Sequence, residues 1–412
     1  MTAPVHVETE PAWGQAESLF QPRRAAFWLF AGLFVFGVIR LLSFVSGLID
    51  NAPDAATLAL VLWALYAIPF VLVIRRLDLL EPEPTPFLGA ALLWGGVVAT
   101  SLALIANHAV ESIVFKAAGV HFALDWQAAI AGPSDEEVLK ALGIVVVVLI
   151  ARRQVNTLLD GLVYGAFVGL GFQIVEDFLY SLQYAQHAVS AGASTNEAVW
   201  HIFVIRGFAG GLWSHAVYTG IVGVGIAYFV LRTDRTLQRR LAVAGGLFAA
   251  AWVFHFFWNS PWLNEVVTGD IYEQYTVIAL IKGLPALLLL LVLYRLAHRR
   301  EVAWFDDALA GEGVLVTPEE LAALHTRKGR LAESKAEQRR TGPRGARLRR
   351  QLQQAQVRLA AANVRAGDPR APAVEEARAD VRAAREALAT VPPAPVAPAT
   401  APPAPTDPAG KR

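Results

Sequence analysis

The sequence contains no cysteine and a single methionine in 412 residues. Without cysteine, the chain can form no disulfide, hold no metal through a thiolate and use no cysteine nucleophile. Charged residues are also scarce, at 17%, whereas hydrophobic residues reach 55% and the mean hydropathy is +0.42. This composition excludes a soluble enzyme, a secreted disulfide scaffold and a disordered regulator. The net charge of +1 gives no indication of a nucleic-acid partner.

Apolar runs long enough to cross a bilayer fill most of the first 300 residues. A membrane-spanning helix needs about twenty such residues. The sequence therefore predicts an all-α, polytopic membrane helix bundle. We expect about eight transmembrane helices, at 25–47, 55–74, 86–106, 134–151, 159–182, 209–231, 241–262 and 275–296.

Arginines mark alternate ends of these spans. The basic clusters are Arg23 and Arg24, Arg75 and Arg76, Arg152 and Arg153, 232–240, and 295–300. Because cytoplasmic loops are rich in Lys and Arg, this pattern places both termini in the cytoplasm, in agreement with an even number of spans. The excess of arginine over lysine is typical of GC-rich bacterial genomes, so we expect a bacterial cytoplasmic membrane.

Composition divides the chain into four regions. These are a cytoplasmic N-terminus (1–24), the helix bundle (25–297), a cytoplasmic helical tail (298–390) and a disordered Pro/Ala-rich end (391–412). In the tail, a 4-3-4-3-4 spacing is compatible with a short coiled coil that binds a cytoplasmic partner or a second copy. Alanine weakens that seam, so a solvated single helix is the favoured alternative. The seam residues are Leu348, Leu352, Ala355, Leu359, Ala362 and Ala366.

Ionisable and amide side chains interrupt four of the spans. Such groups are costly inside a bilayer and therefore indicate function. Alternatives exist for each alone, because a lone membrane histidine commonly bonds a neighbouring helix, and acids at a helix start can interact only with the helix dipole. The residues are Glu136, Glu137, Lys140, Glu176, Asp177, His215, His255 and Asn259.

Four of these residues, Glu136, Glu176, His215 and His255, lie at matching depths. Each is about 15 to 17 residues from the cytoplasmic end of its span, or roughly 22–26 Å into a core about 30 Å thick. Two of the spans run outward and two inward, so the topology does not impose this agreement. We therefore predict one site in the outer third of the bilayer. The carboxylate oxygens of Glu136 or Glu137 and the imidazole nitrogens of His215 and His255 should converge within roughly 8 Å.

These residue types suit hydrolysis. Neutral imidazole and carboxylate are the common nitrogen and oxygen ligands of zinc, and a remaining carboxylate can activate water. Asn259 lies one turn from His255 and could stabilise an oxyanion, while Lys140 lies one turn from Glu136 and Glu137 and could stabilise the acidic cluster.

At these residues the chain resembles the PrsW family of intramembrane proteases. That family belongs to a broader group of CAAX prenyl endopeptidases and bacteriocin-processing membrane proteins. The resemblance covers about 25–297, and Asp177 stands where asparagine is commoner. The matching motifs are Glu136-Glu137-Val138-Leu139-Lys140, Asp160-Gly161 to Tyr164-Gly165, Gly171-Phe172 through Glu176-Asp177 to Tyr180, His215, and His255 through Asn259.

The resemblance implies endoproteolysis inside or beside the membrane. Family members cleave single-span membrane proteins, notably anti-sigma factors, on the extracytoplasmic side, which agrees with a site in the outer third. The wider group is usually described as metal-dependent, although a glutamate-based mechanism is also argued. Two histidines and several glutamates permit either mechanism.

We therefore expect a zinc-dependent membrane endopeptidase. Glu136, His215 and His255 are the candidate metal ligands or water-positioning groups, with Glu176 as a further ligand or neighbour. The catalytic candidates are Glu137 as general base, Asn259 as oxyanion donor, and Lys140. The roles of Glu136 and Glu137 can be exchanged.

Two other classes of function stay open. A proton-coupled transporter or channel would use the same acids and histidines as a proton relay. Such a protein should repeat its hydropathy pattern between halves, and this sequence shows no such repeat. A catalytically inactive membrane scaffold would instead tolerate loss of the buried acids.

Overall fold

The computed structural model describes residues 18–77, 80, 83–150, 152, 154–210, 214–264 and 266–393. The expectations for 1–17, for Arg153 and for the Pro/Ala-rich end beyond 393 lie outside the described residues. The chain folds as two compact units, Met1–Phe305 and Asp306–Arg412.

Helices account for all the regular structure that the first unit shows in its described residues, and no strand occurs there. The all-α class is therefore confirmed. The α-helices and two π-helices are α1 Ala25–Asn51, α2 Pro53–Ile74, α3 Thr85–Leu93, π1 Trp94–Ala99, α4 Thr100–Ala118, α5 Val120–Ile150, α6 Leu158–Ala191, α7 Thr195–Ile202, π2 Phe203–Gly210, α8 His215–Leu231, α9 Leu237–Asn259 and α10 Ile271–Leu309.

Six helical segments in the described part of the chain are long and apolar enough to cross a membrane, so the protein is a multi-pass membrane protein. They are Ala25–Asn51, Pro53–Ile74, Thr85–Ala118, Leu158–Ala191, Leu237–Asn259 and Ile271–Leu309. The expected count of about eight is not confirmed. Of the two remaining segments, α8 has 17 residues, and α5 carries Asp135, Glu136, Glu137 and Lys140.

The helix that carries these charges begins earlier than predicted. The loop expected near 108–133 is helical, apart from Gly119, which adopts the left-handed φ of 84° between α4 and α5. A residue with a side chain is strained at this φ, which explains a glycine at the turn. From there α5 runs for 31 residues and includes Pro133.

The first half of helix α6 is buried, from Leu159 to Gln173, and α6 packs along α8. Gly161, Gly165 and Gly169 follow one another at every fourth position, and a Cβ on any of them would overlap a carbonyl oxygen of α8. Gly161, Gly165 and Gly169 thus form a close-packing surface against α8. For Gly169 the carbonyl belongs to His215, so this packing sets the position of the histidine.

The second unit contains α11 Pro318–Leu324, α12 Arg327–Ala366 and α13 Pro372–Ala389. Gly342, with a φ of 79°, breaks α12, and α12 packs against both α11 and α13. Leu352, Ala355 and Leu359 of the proposed seam are buried within the unit. The coiled-coil hypothesis is therefore not supported, and neither is a solvated single helix, because the apolar stripe is covered by the chain's own helices.

Candidate active site

Residues from α5, α8 and α9 meet in one buried cluster. Glu136, His215 and His255 each offer one possible ligand atom, and these atoms all lie within 4.8 Å of one another. All three residues are buried. The predicted convergence of these groups is confirmed.

A second layer of contacts fixes the two imidazole rings. Glu137 Oε1 accepts from Lys140 Nζ at 2.6 Å and from His255 Nδ1 at 2.9 Å. Lys140 Nζ also donates to His215 Nδ1 at 3.0 Å. Glu137 and Lys140 are both fully buried. One carboxylate and one ammonium therefore orient both rings from behind.

These contacts also determine where the protons on the histidines lie. An ammonium only donates and a carboxylate only accepts, so His215 accepts at Nδ1 and carries its proton on Nε2, which lies 3.1 Å from Glu176 Oε2. His255 donates from Nδ1 to Glu137 and keeps a lone pair on Nε2, 3.2 Å from Asn259 Nδ2.

Glu176 lies within hydrogen-bonding distance of an arginine that the sequence analysis did not single out. Arg206, in π2, contacts Glu176 Oε2 at 2.6 Å through Nη2 and also binds the Asp177 carboxylate through Nε. Its guanidinium lies 4.1 Å from the centre of the Tyr180 ring. Asp177, whose role the sequence left ambiguous, is thus a buried partner of Arg206.

The two remaining amide side chains hold the edges of the cluster. Asn107 of α4 donates to Glu136 Oε1 at 3.0 Å, a contact that the sequence analysis missed. Asn259, the last residue of α9, donates to the Ala128 carbonyl at 3.1 Å. Both amides therefore link the site to neighbouring helices.

A cavity of about 210 Å³ opens onto this cluster. Its lining includes Glu136, Glu176, Arg206, His215, His255 and Asn259. Glu137 and Lys140 are not part of the lining. Of the predicted site residues, Glu136 and Glu176 present their carboxylates to the cavity; Glu111 and the Arg206-bound Asp177 line it as well. Glu137, outside the lining, bonds His255 Nδ1.

Arg206 and Asn107, which the sequence analysis missed, could have been found from their positions in the sequence. Arg206 is a single cation in the apolar run 197–231, and a lone charge in such a run is itself a functional hypothesis. The predicted span begins at 209, three residues after Arg206, so the arginine fell outside it. Asn107 falls one residue beyond the predicted end of its span, and α4 continues to Ala118.

Carboxylates, imidazoles and an amide around a cavity inside an apolar helix bundle define a membrane-embedded hydrolase. The PrsW family intramembrane metalloprotease matches residues 83–290, about half of the 412-residue chain. The chain belongs to this family and is a membrane protease, and the family description implies a metal. No curated protein and no solved structure matches the chain.

Proposed function

We propose that the protein is a zinc-dependent endopeptidase of the bacterial cytoplasmic membrane that cuts a single-span membrane protein, such as an anti-sigma factor. Both termini are cytoplasmic and the cut falls in the outer third of the bilayer. The convergence of Glu136, His215 and His255 within 4.8 Å, inside a membrane helix bundle, carries this proposal.

The residues present fit a zinc ion. Two imidazoles and one carboxylate are a known ligand set of catalytic zinc. Glu136 Oε2 is buried and has no hydrogen-bond partner among the described residues, as expected of a ligand atom. His255 Nε2 carries a lone pair. Binding through His215 Nε2 requires release of its proton, so zinc affinity should fall as the pH is lowered.

Zinc at this position would supply Lewis-acid catalysis and lower the pKa of a bound water. We assign the general base to Glu176, because its carboxylate lines the cavity and that of Glu137 does not. Glu176 removes a proton from the attacking water and returns it to the leaving amine nitrogen as the peptide bond breaks. Arg206 holds the Glu176 carboxylate during this transfer.

Glu137 and Lys140 act as positioning residues in this proposal. Glu137 accepts the Nδ1 proton of His255 at 2.9 Å, and carboxylates that bond a ligating imidazole in this way orient it and increase its basicity. Asn259 lines the cavity with an amide that can donate to the developing oxyanion of the substrate carbonyl.

No residue from the described part of the second unit lines the cavity. We propose that it serves in regulation or in recruiting a cytoplasmic partner, rather than in the hydrolysis itself.

The test uses the purified full chain in lipid nanodiscs, with a single-span reporter protein and a measurement of bound zinc. Glu136→Gln and His255→Ala should lose both the cleavage and the zinc. Glu176→Gln should keep the zinc and lower kcat by about 10²- to 10⁴-fold. Glu137→Gln should weaken zinc affinity by about 10- to 100-fold and abolish cleavage at limiting zinc.

The matched control is Glu273→Gln, which removes an exposed carboxylate of α10 away from the cavity and should leave cleavage unchanged. Cleavage retained in both Glu137→Gln and His255→Ala would disprove the peptidase assignment for this site. If chelators do not affect cleavage but Glu136→Gln abolishes it, the zinc assignment is wrong. The protein is then still a protease, with Glu136 as its general base.

A further inference from the structure

An apolar groove lies between α2 and π2 on the surface of the first unit. Its volume is about 480 Å³. Leu65, Pro69 and Val73 lie along one wall, and Phe203 and Phe208 belong to the other side. Leu65, Val73 and Phe208 are each more than half exposed, at 59%, 55% and 57%. We call this feature the α2–π2 groove.

The groove is rigid on its inner side. Tyr66 is buried and donates from its hydroxyl to the Gly207 carbonyl at 2.8 Å. The rings of Phe203 and Phe208 pack edge to face, with centroids 5.4 Å apart, and Trp63 lies against Phe203 at 5.0 Å. Aromatic packing of this kind holds π2 against α2 without filling the groove.

Pro69 lies inside α2 and lines the groove. Proline has no N–H, so position 69 cannot donate to the Leu65 carbonyl as a helical residue normally does. A Ser or Thr side chain of a neighbouring membrane helix can donate to such a carbonyl.

The same π-helix borders the catalytic cavity. Phe203 and Phe208 line the groove, while Ile205 and Arg206 line the cavity. Arg206 in turn binds Glu176 at 2.6 Å. A helix seated in the groove would therefore lie against the segment that holds a carboxylate of the active site.

We propose that the α2–π2 groove docks the transmembrane helix of the substrate. The inference rests on the proposed function, since a membrane-protein substrate reaches the cavity from the lipid. The groove matches such a helix in its apolar surface, in the donor missing at Pro69 and in its continuity with the cavity through π2. It therefore acts as a specificity surface outside the catalytic residues.

The experiment begins with a single-span reporter that the wild-type chain cleaves and the Glu136→Gln chain does not. Leu65→Trp fills the groove and should raise KM for this reporter about tenfold, equivalent to ~1.4 kcal/mol of binding, with kcat changed less than twofold. Ile68→Trp is the matched control, because Ile68 is 52% exposed on the same helix but does not line the groove. It should leave both constants unchanged.

A second measurement covers the case in which Leu65→Trp folds poorly. A photo-crosslinking residue at position 65 of the Glu136→Gln chain should capture the reporter helix, and the same residue at position 68 should not. Equal capture at both positions, or equal KM for both tryptophan variants, would overturn the inference. Lipid, and not the substrate helix, would then occupy the groove. Failure of the proposed function would appear earlier, as a reporter cut equally well by the Glu136→Gln chain.

Discussion

At the scale of single residues, Arg206 connects the carboxylate of Glu176, our proposed general base, to the rest of the fold. It bonds Glu176 and Asp177 and stacks on Tyr180. Two acids side by side in an apolar bundle repel each other, and a planar guanidinium can satisfy both at once through different nitrogens. A lysine at this position offers one point charge and cannot reproduce the planar set of N–H donors that reaches both carboxylates.

We expect Arg206→Gln to leave the carboxylates of Glu176 and Asp177 without their cation. Removing one partner of a buried ion pair destabilises a fold by about 3–5 kcal/mol, and the loss is smaller here because the guanidinium is 29% exposed. The kcat for a membrane reporter should fall by about 10- to 100-fold, and Arg206→Lys should recover part of it. Kinetics and thermal unfolding measure the two effects. Arg235→Gln, which removes an exposed arginine, is the control. Wild-type kcat in Arg206→Gln would contradict the role.

The sequence could predict the central cluster because three of its properties are local. Depth, one-turn spacing and residue type follow directly from positions in a span, and they pointed to Glu136, His215 and His255 together. Which of the two adjacent glutamates faces the cavity depends on the rotation of α5 against α9, and this is set by packing. The partner of Glu176 could not be found by spacing, because Arg206 lies 30 residues away in a π-helix.

At the scale of secondary-structure elements, the glycine stripe of α6 sets how close α8 can come. Gly169 is the member of the stripe that touches the backbone of His215. An added methyl group there cannot move away, because the atom it meets is a carbonyl oxygen and not a flexible side chain. The position of His215, a proposed metal ligand, thus depends on a glycine that has no functional side chain.

We expect Gly169→Ala to push the start of α8 away from α6 and lower kcat/KM by about tenfold or more, because an ångström-scale misplacement of catalytic groups can cost about 10²-fold. Zinc content should fall with it. Gly246→Ala in α9, where a new methyl group meets nothing within 4 Å, should retain full activity and zinc. If Gly169→Ala behaves like Gly246→Ala, the stripe does not position His215.

The elements that the sequence described least well are those in which local rules compete. The predicted span at 134–151 begins just after Pro133, yet this proline lies inside α5. A helix start tolerates proline best, but tertiary packing can also hold a proline in a helix interior. The seam of α12 has the spacing of a coiled coil. Gly342 breaks the helix before that seam, and α11 and α13 then cover it.

At the scale of the whole molecule, the second unit depends on carboxylates that must stay ionised. Burial raises the pKa of Glu320, but bonds from Arg385 and Gln356 outweigh it and hold the pKa below its usual value. Burial also raises the pKa of Glu312, but hydrogen bonds from Arg378 and Asn363 outweigh this effect and hold the pKa below its usual value. A carboxyl whose pKa is lower in the folded state than in the unfolded state stabilises the fold at pH values above its unfolded-state pKa. This stabilisation is lost as the pH falls through its folded-state pKa.

Amide protection in α11 to α13 of the full chain should therefore be constant near neutral pH and decline below about pH 4.3, the ordinary glutamate value. Hydrogen exchange corrected for its intrinsic rate measures this. Glu320→Gln should lower the protection already at pH 7, whereas Glu319→Gln, at an exposed neighbouring position, should not. Protection that is independent of pH would contradict the assigned role of these ion pairs.

We expect the first unit to hydrolyse substrate without the second. The site residues all belong to Met1–Phe305, and the second unit should act only through regulation or recruitment. A chain ending at Phe305 keeps the buried Glu301 and Phe305, and should insert normally and cleave a model reporter at a rate within about threefold of the full chain. Normal insertion without cleavage would show that the second unit completes the catalytic machinery.

The charges of α5 have a consequence for how the protein is made. An isolated helix with Asp135 and Lys140 near its centre enters a bilayer at a cost of about 2.5–3.5 kcal/mol for each charge. The partner that bonds Glu137 through an imidazole, His255, is synthesised 118 residues later. We therefore expect α5 to wait beside the translocon, or at the membrane surface, until α9 emerges. The residues that form the site would thus also impose an order on the integration of the chain, in which α5 settles only after α9.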